Sequence, residues 1–159
     1  MSQFATLPSL NGTSVLVTGG ASGIGRISVE AFAFQGAKVV FLDRDAENAA
    51  IVTKTTDAPH VLCYLPNILE IQTAIATLAD QMGPFQVLAN NAARDDLHNW
   101  QDVTPEYWNE RMDTNLRHMF FAIQSIAPGM IEAGGGFIIN MGSNSWWEAG
   151  GGFPAYATA

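Results

Sequence analysis

The sequence predicts an α/β fold, a doubly wound parallel sheet of the Rossmann type with strands in the order 3-2-1-4-5. Three observations carry that expectation. Short, wholly apolar runs rich in β-branched residues alternate with segments of helical periodicity, the pattern of strands buried on both faces by helices. A glycine-rich turn, TGGASGIG (18–25), joins the first such run to the first such helix. Right-handed crossovers between parallel strands then limit the topology to the doubly wound order.

The elements follow in sequence. TSVLVTGG (13–20) reads as a buried strand and turn, and GIGRISVEAFAFQG (23–36) as a helix that stops at Gly36. AKVVFLD (37–43) is the second strand, AENAAIVTKTT a short helix, and HVLCYL (60–65) the third strand. NILEIQTAIATLADQMG (67–83) starts with Asn67 and Glu70 at capping-box spacing, and FQVLANNA (85–92) is the fourth strand. TPEYWNERMDTNLRHMFFAIQSIAPGMIEAGG (104–135) has a threonine cap and proline at its first helical position. It is expected to run as one long helix, kinked or ended at Pro128. GFIINMGS (136–143) is the fifth strand.

Composition narrows the function classes. The 159 residues suit a single domain, 48% are apolar, and 14% are charged, so a packed core is expected. A net charge of −8 with seven Lys plus Arg leaves no clustered basic face for nucleic acid. No apolar run approaches a membrane span, and the opening MSQFATLPSLNG lacks the basic start and apolar stretch of a secretory leader. One cysteine, Cys63, allows no internal disulfide, which points to a cytoplasmic protein. His60, His98 and His118 have no metal-ligand spacing and read as ordinary surface or helix residues.

The chemistry begins at the glycine turn. Glycines after a strand let backbone approach a pyrophosphate, and the helix N-terminus that follows offers free N–H groups and positive partial charge. Gly19, Ser22, Gly23, Ile24 and Gly25 are therefore candidate cofactor-binding residues. Asp43 ends the second strand, where a carboxylate accepts ribose hydroxyls and repels a 2′-phosphate, favouring NAD over NADP. Arg44 beside it keeps a phosphate acceptor in play.

These features and the motifs after them resemble the short-chain dehydrogenase/reductase family. Its TGxxxGxG turn matches Thr18, Gly19, Gly23, Ile24 and Gly25; its NNAG element matches NNAA (90–93), with Ala93 in place of glycine. Asn115 fits the family's helix asparagine, Ser143 its catalytic serine, and Tyr156, thirteen positions on, its catalytic tyrosine. The resemblance implies an oxidoreductase that binds NAD through the glycine turn, Asp43, Leu65, Asn91, Ala92, Ala93 and Tyr156. In that scheme Tyr156 takes the proton of a substrate alcohol, Ser143 holds the substrate oxygen, and Asn115 helps hold a water chain. A tyrosine ordinarily ionises near ~10, so the family's YxxxK lysine and the cationic nicotinamide assist it. That lysine would fall at position 160, so the chain is expected to be an incomplete domain, lacking two further strands and inactive alone. Where the family usually has Asp and an apolar residue beside the adenine, this sequence has Tyr64 and Leu65.

Within the family, the stretches NNAARDDLHNWQDVTPEYWNERMDTNLRHMFFAIQSIAPGM and INMGSNSWWEAGGG resemble NAD-dependent aldose 1-dehydrogenases of the D-xylose type. The substrate implied is a sugar oxidised at its anomeric hydroxyl. Asp95 and Asp96 could accept from sugar hydroxyls. Trp146, Trp147 and Glu148 suit the C–H face and hydroxyls of a pyranose. With Ser143 and Tyr156, Asp95 and Trp146 form the candidate substrate site. A 3-oxoacyl-carrier-protein-reductase-like enzyme is the alternative within the family. Outside it stand a non-catalytic NAD(H)-binding module and an inactive fragment. The resemblance also implies a homo-oligomer, commonly a tetramer.

Overall fold

The computed structural model describes residues 5–148 and 151–159. The first four residues of the opening stretch, and positions 149–150 of the loop before Tyr156, therefore lie outside the described residues. Five parallel strands form one sheet in the order β3-β2-β1-β4-β5, as the sequence predicts. They are β1 (Ser14–Thr18), β2 (Lys38–Asp43), β3 (His60–Leu62), β4 (Val87–Asn90) and β5 (Phe137–Asn140). The helices are α1 (Gly23–Phe34), α2 (Ala46–Thr56), α3 (Ile68–Met82), α4 (Pro105–Met112), α5 (His118–Glu132) and α6 (Pro154–Thr158).

Alternation along the strands divides the core in two. Val15, Val17, Val39, Phe41, Val87 and Ala89 face one side, packed with Val29 of α1 and Ala49 and Val52 of α2. Leu16, Val40, Leu42 and Leu88 face the other, with Ile71, Ile75 and Leu78 of α3 and Ala122, Ile126 and Met130 of α5. Helices thus leave β1 toward β2 on one face and β4 toward β5 on the opposite face. The chain's direction of travel across the sheet reverses between β1 and β4, and that opens a crevice at their carboxyl ends.

Cap chemistry is partly as expected. Thr104 accepts from the Tyr107 N–H at 3.2 Å. Asp45 caps α2 by accepting from the Asn48 N–H at 3.0 Å. The Asn67–Glu70 capping box does not close. The Asn67 amide donates to Glu70 at 2.8 Å, while the other Glu70 oxygen accepts from the Tyr64 backbone N–H at 2.8 Å. Glu70 therefore pins the turn after β3 rather than the helix's own cap. β3 is also shorter than its apolar run: His60 to Leu62 pair with Phe41 to Asp43, and the Cys63 N–H makes one more bond, to the Asp43 carbonyl at the end of β2.

The long helix departs most from expectation. Residues Asp113–Arg117 form a π-helical turn between α4 and α5, and Pro128 lies inside α5 without ending it. The interruption comes from the wider turn, which shifts the register of side chains and buries Thr114 and Asn115. β5, at one edge of the sheet, is exposed along its length, with Phe137 at 74% exposure. Among the described residues no helix is long and apolar enough to cross a membrane.

His118, expected to be unremarkable, is fully buried at the start of α5, and among the described residues neither ring nitrogen makes a well-formed hydrogen bond. Burial pushes its pKa down from 6.5 to about 4, against a smaller upward pull from the Thr114 backbone. The unfolded chain then binds a proton near pH 6.5 that the folded chain refuses until about pH 4. Between those values the unfolded state holds more protons, so stability falls as pH falls, by roughly 2–4 kcal/mol in all. Urea unfolding across this range is expected to show that loss in the wild type and a flatter profile in His118→Leu. Equal pH slopes in the two proteins would contradict the burial argument.

Candidate active site

The crevice is built around a joint between β1 and β4. The Thr18 hydroxyl, fully buried, accepts from the backbone N–H groups of Asn91 at 3.1 Å and Ala92 at 3.2 Å. In return the Asn91 side-chain amide donates to the carbonyls of Thr18 and Gly19, both at 3.2 Å. Gly19 adopts φ +70°, and an added Cβ would meet Ala92 Cα at 2.8 Å. At Gly25 a Cβ would collide with the Gly19 carbonyl and the Asn91 amide. Glycine at both positions lets the turn, the helix and β4 close together.

Along this joint runs a cleft of about 480 Å³, lined by Gly19, Ser22, Gly23, Ile24, Asp43, Leu65, Asn91, Ala92, Ala93, Asp95 and Tyr156. The candidate cofactor residues therefore converge on one surface, Gly25 excepted. Gly25 is buried beneath the turn and serves the packing that shapes it. Ser22 occupies the N-cap position of α1, and its side chain makes no capping bond. An uncapped N-terminus with exposed Ile24 at its lip, opening into a cleft, suits the pyrophosphate of a dinucleotide.

Asp43 is already engaged. One carboxylate oxygen accepts from the Ala21 N–H at 2.8 Å and the other from the Asp45 N–H at 3.0 Å. The first bond ties the glycine turn to the end of β2. A carboxylate has about four acceptor sites, so two remain open for other donors. Arg44, Tyr64 and Cys63 line the same end of the cleft.

A second, more apolar cleft of about 560 Å³ adjoins the first, lined by Asn115, Phe120, Ser143, Trp146 and Tyr156 among others. Tyr156 and Ala93 border both clefts. Ser143, on the segment leaving β5, accepts from the Ser145 N–H at 3.2 Å through its hydroxyl. Asn115 sits in the π-helical turn at 5% exposure. Its side-chain oxygen accepts from the Arg94 N–H at 2.7 Å, and its amide donates to the Arg94 carbonyl at 3.1 Å. Both ends of Asn115 thus fix the loop after β4.

The two aspartates of that loop part company. Asp95 lines the cofactor cleft. Asp96 instead lies 3.0 Å from Arg111 and 3.4 Å from Arg94, and accepts from the Tyr107 hydroxyl at 3.1 Å. Partial burial would raise its pKa, but Tyr107 and the two guanidinium groups outweigh that and hold it below the usual carboxylate range. Asp96 is spent on the loop's own structure. Trp146 borders the apolar cleft, whereas Trp147 does not, and Glu148 bonds to Asn144.

His98 and Arg111 also belong to this region, though no pattern in the sequence marks them. Arg111 is 2% exposed, with Tyr107's ring 4.6 Å from its guanidinium carbon. His98 bonds to residues of α4 and α6. Neither belongs to a local motif, and only a tertiary contact reveals them. Among the described residues no group of His, Cys, Asp or Glu could hold a metal ion.

Comparison with known proteins agrees with this geometry. Residues 13–159 match the family described as short chain dehydrogenase. D-xylose 1-dehydrogenase of Caulobacter vibrioides is 45% identical over 147 residues, covering 89% of this chain and 58% of that protein. A Rhizobium meliloti protein named "Probable galactose dehydrogenase GalD" is 43% identical, covering 96% of this chain and 62% of its own length. The crystal structure of a short chain dehydrogenase from Bacillus anthracis superposes with a TM-score of 0.87 at 30% identity, covering 94% of this chain and 63% of that one. The chain belongs to the short-chain dehydrogenase family, and it spans about six-tenths of the length of the curated relatives it matches.

Cys63 offers a check on the cleft. Burial, and to a lesser degree the Glu70 carboxylate, pushes its thiol up to about 11. Near pH 8 only about one molecule in a thousand would then carry the reactive thiolate. Alkylation by iodoacetamide is expected to be at least roughly tenfold slower in the native chain than in denaturant. Equal rates would contradict the burial of this side chain.

Proposed function

We propose that this chain supplies the dinucleotide-binding part and the Ser143–Tyr156 pair of an NAD-dependent oxidoreductase acting on an aldose at its anomeric hydroxyl. The observation that carries the reading is the position of Tyr156 on the border of both clefts. A group held along the first cleft ends beside a hydroxyl pair that faces the second.

The residues divide the work. The N–H groups at the start of α1 meet the pyrophosphate, and the glycines let it approach. The free acceptor sites of Asp43 take the ribose hydroxyls, and their charge opposes a 2′-phosphate, which favours NAD over NADP. Tyr64 and Leu65 flank the adenine. When bound, the nicotinamide supplies the hydride acceptor. Ser143 holds the substrate hydroxyl by a hydrogen bond, and Tyr156 accepts its proton as the C–H bond is given up. Asn115 keeps the loop carrying Asp95 in register with both. The sugar's hydroxyls find Asp95, and its C–H face lies on Trp146.

The kinds of residue at this site and the relatives named for D-xylose and galactose support a sugar over a fatty-acyl substrate. A hydroxyacyl chain would have no use for a carboxylate at Asp95.

The cofactor half of the reading is tested by titrating NADH into the chain and following nicotinamide fluorescence. Saturable binding is expected, weakened about tenfold in Asp43→Ala, which corresponds to about 1.4 kcal/mol. Absence of binding, or an unchanged affinity in Asp43→Ala, would contradict it. The chemical half is tested with NAD and a panel of aldoses, on a protein extended to the length of its relatives. Tyr156→Phe is expected to lower kcat by roughly 10²–10⁴. Full activity in that variant, or turnover of hydroxyacyl thioesters in place of aldoses, would reject it.

A further inference from the structure

His98 connects the loop after β4 to the short helix carrying Tyr156. Its ring Nε2 lies 3.1 Å from the backbone nitrogen of Ala155, which donates to it. Ala155 is the second residue of α6, after Pro154. The first N–H groups of any helix lack a partner within it, and a proline at the first position has no N–H to offer. No side chain caps α6 from Phe153. The imidazole therefore takes the place of a cap, from a residue far away in sequence.

The rest of the ring's bonds agree with this direction. An acceptor Nε2 places the proton of a neutral ring on Nδ1. That nitrogen lies 2.9 Å from the Asp96 carbonyl and 2.9 Å from the Tyr107 hydroxyl oxygen, both able to accept. The Tyr107 hydroxyl in turn donates to the Asp96 carboxylate at 3.1 Å, and Arg111 holds that carboxylate from the other side at 3.0 Å. The backbone adds a further tie, the His98 N–H donating to the Gly152 carbonyl at 2.6 Å. His98 thus grips the segment before Tyr156 at Gly152 and at Ala155, while its own orientation is fixed from α4. Tyr156 follows Ala155 directly, with its ring edge-on to Phe153 at 5.9 Å.

We propose that His98 is a positioning residue for Tyr156: as a neutral Nδ1–H imidazole it accepts the Ala155 N–H and so sets where the Tyr156 hydroxyl stands relative to Ser143 and the cleft. The consequence for catalysis rests on the reading of Tyr156 as proton acceptor. The positioning itself does not. The sequence of bonds runs in one direction, from Ala155 N–H to imidazole, from imidazole N–H to Asp96 and Tyr107, and from Tyr107 to the Asp96 carboxylate anchored by Arg111.

Two substitutions separate the ring's two edges. Glutamine at 98 puts an amide oxygen near the place of Nε2, keeping an acceptor for Ala155. Asparagine reaches only to the place of Nδ1 and keeps the Asp96 side alone. Amide hydrogen exchange at Ala155, read by NMR, is expected to quicken roughly tenfold or more in His98→Asn and to stay within about threefold of wild type in His98→Gln. The Tyr156 ring resonances, assigned with Tyr156→Phe, are expected to move in His98→Asn and to return in His98→Gln. Identical behaviour of the two variants, or an unchanged Ala155 in His98→Asn, would overturn the proposal. Should His98→Asn fail to fold, the wild-type ring decides: an unprotonated Nε2 coupled to the Ala155 N–H upholds it, and a protonated Nε2 overturns it. Neither readout uses nucleotide or turnover. A chain that passes here and binds no NADH would sink the functional reading and leave this one standing.

Discussion

Everything at the site depends on the joint between β1 and β4. These strands send their helices to opposite faces, and a link continues past their last ladder pair, Thr18 and Asn90. Thr18 and Asn91 supply it through four hydrogen bonds, all between 3.1 and 3.2 Å. Each such bond contributes about 1 kcal/mol net, but leaving any of these buried groups unpaired would cost more. The joint also dictates the glycines. Once Asn91 is drawn against the turn, no Cβ fits at Gly19 or Gly25. Asp43 completes the arrangement by holding Ala21, so one carboxylate serves the turn's shape and faces the cleft as well.

A second layer of organisation lies in the loop from Ala93 to Val103. Asn115 clamps it at Arg94, Arg111 and Tyr107 clamp it at Asp96, and His98 hands that rigidity on to α6. The energetic stake is the buried guanidinium. Arg111 is almost fully enclosed, and the carboxylates of Asp96 at 3.0 Å and Glu110 at 3.1 Å balance its buried charge. The π-helical turn belongs to the same layer. Widening the helix at Asp113–Arg117 is what brings Asn115 against the backbone of the loop. Two adjacent aspartates then take different tasks, Asp96 structural and Asp95 on the cleft.

Sheet order, the helix boundaries of α1 and α2, and the convergence of the glycine turn with Asp43 were legible in the sequence. They depend on local periodicity and on a short motif, both of which a linear string displays. The π-helical turn was not, because nothing in MDTNLRH departs from ordinary helical spacing and the bulge answers a tertiary demand from Arg94. The capping box misled for a related reason: Glu70 found a better donor in Tyr64 than in its own helix. His118 and His98 look alike in the sequence, yet one is sealed in the core and the other bonds on both edges of its ring. Only packing distinguishes them. Gly25 was assigned to the cofactor by its motif, and the structure gives the physical reason as close packing underneath the turn.

The central claim is that one dinucleotide lies along the strand ends with its adenosine at Asp43 and its reactive end at the Ser143–Tyr156 pair. A crystal structure of the chain grown with NADH tests this most directly. The expected complex has the pyrophosphate at the uncapped start of α1, the ribose hydroxyls on Asp43, and the nicotinamide within contact of Tyr156. Nucleotide bound in the reverse direction, or at another surface with this cleft left open, would contradict it.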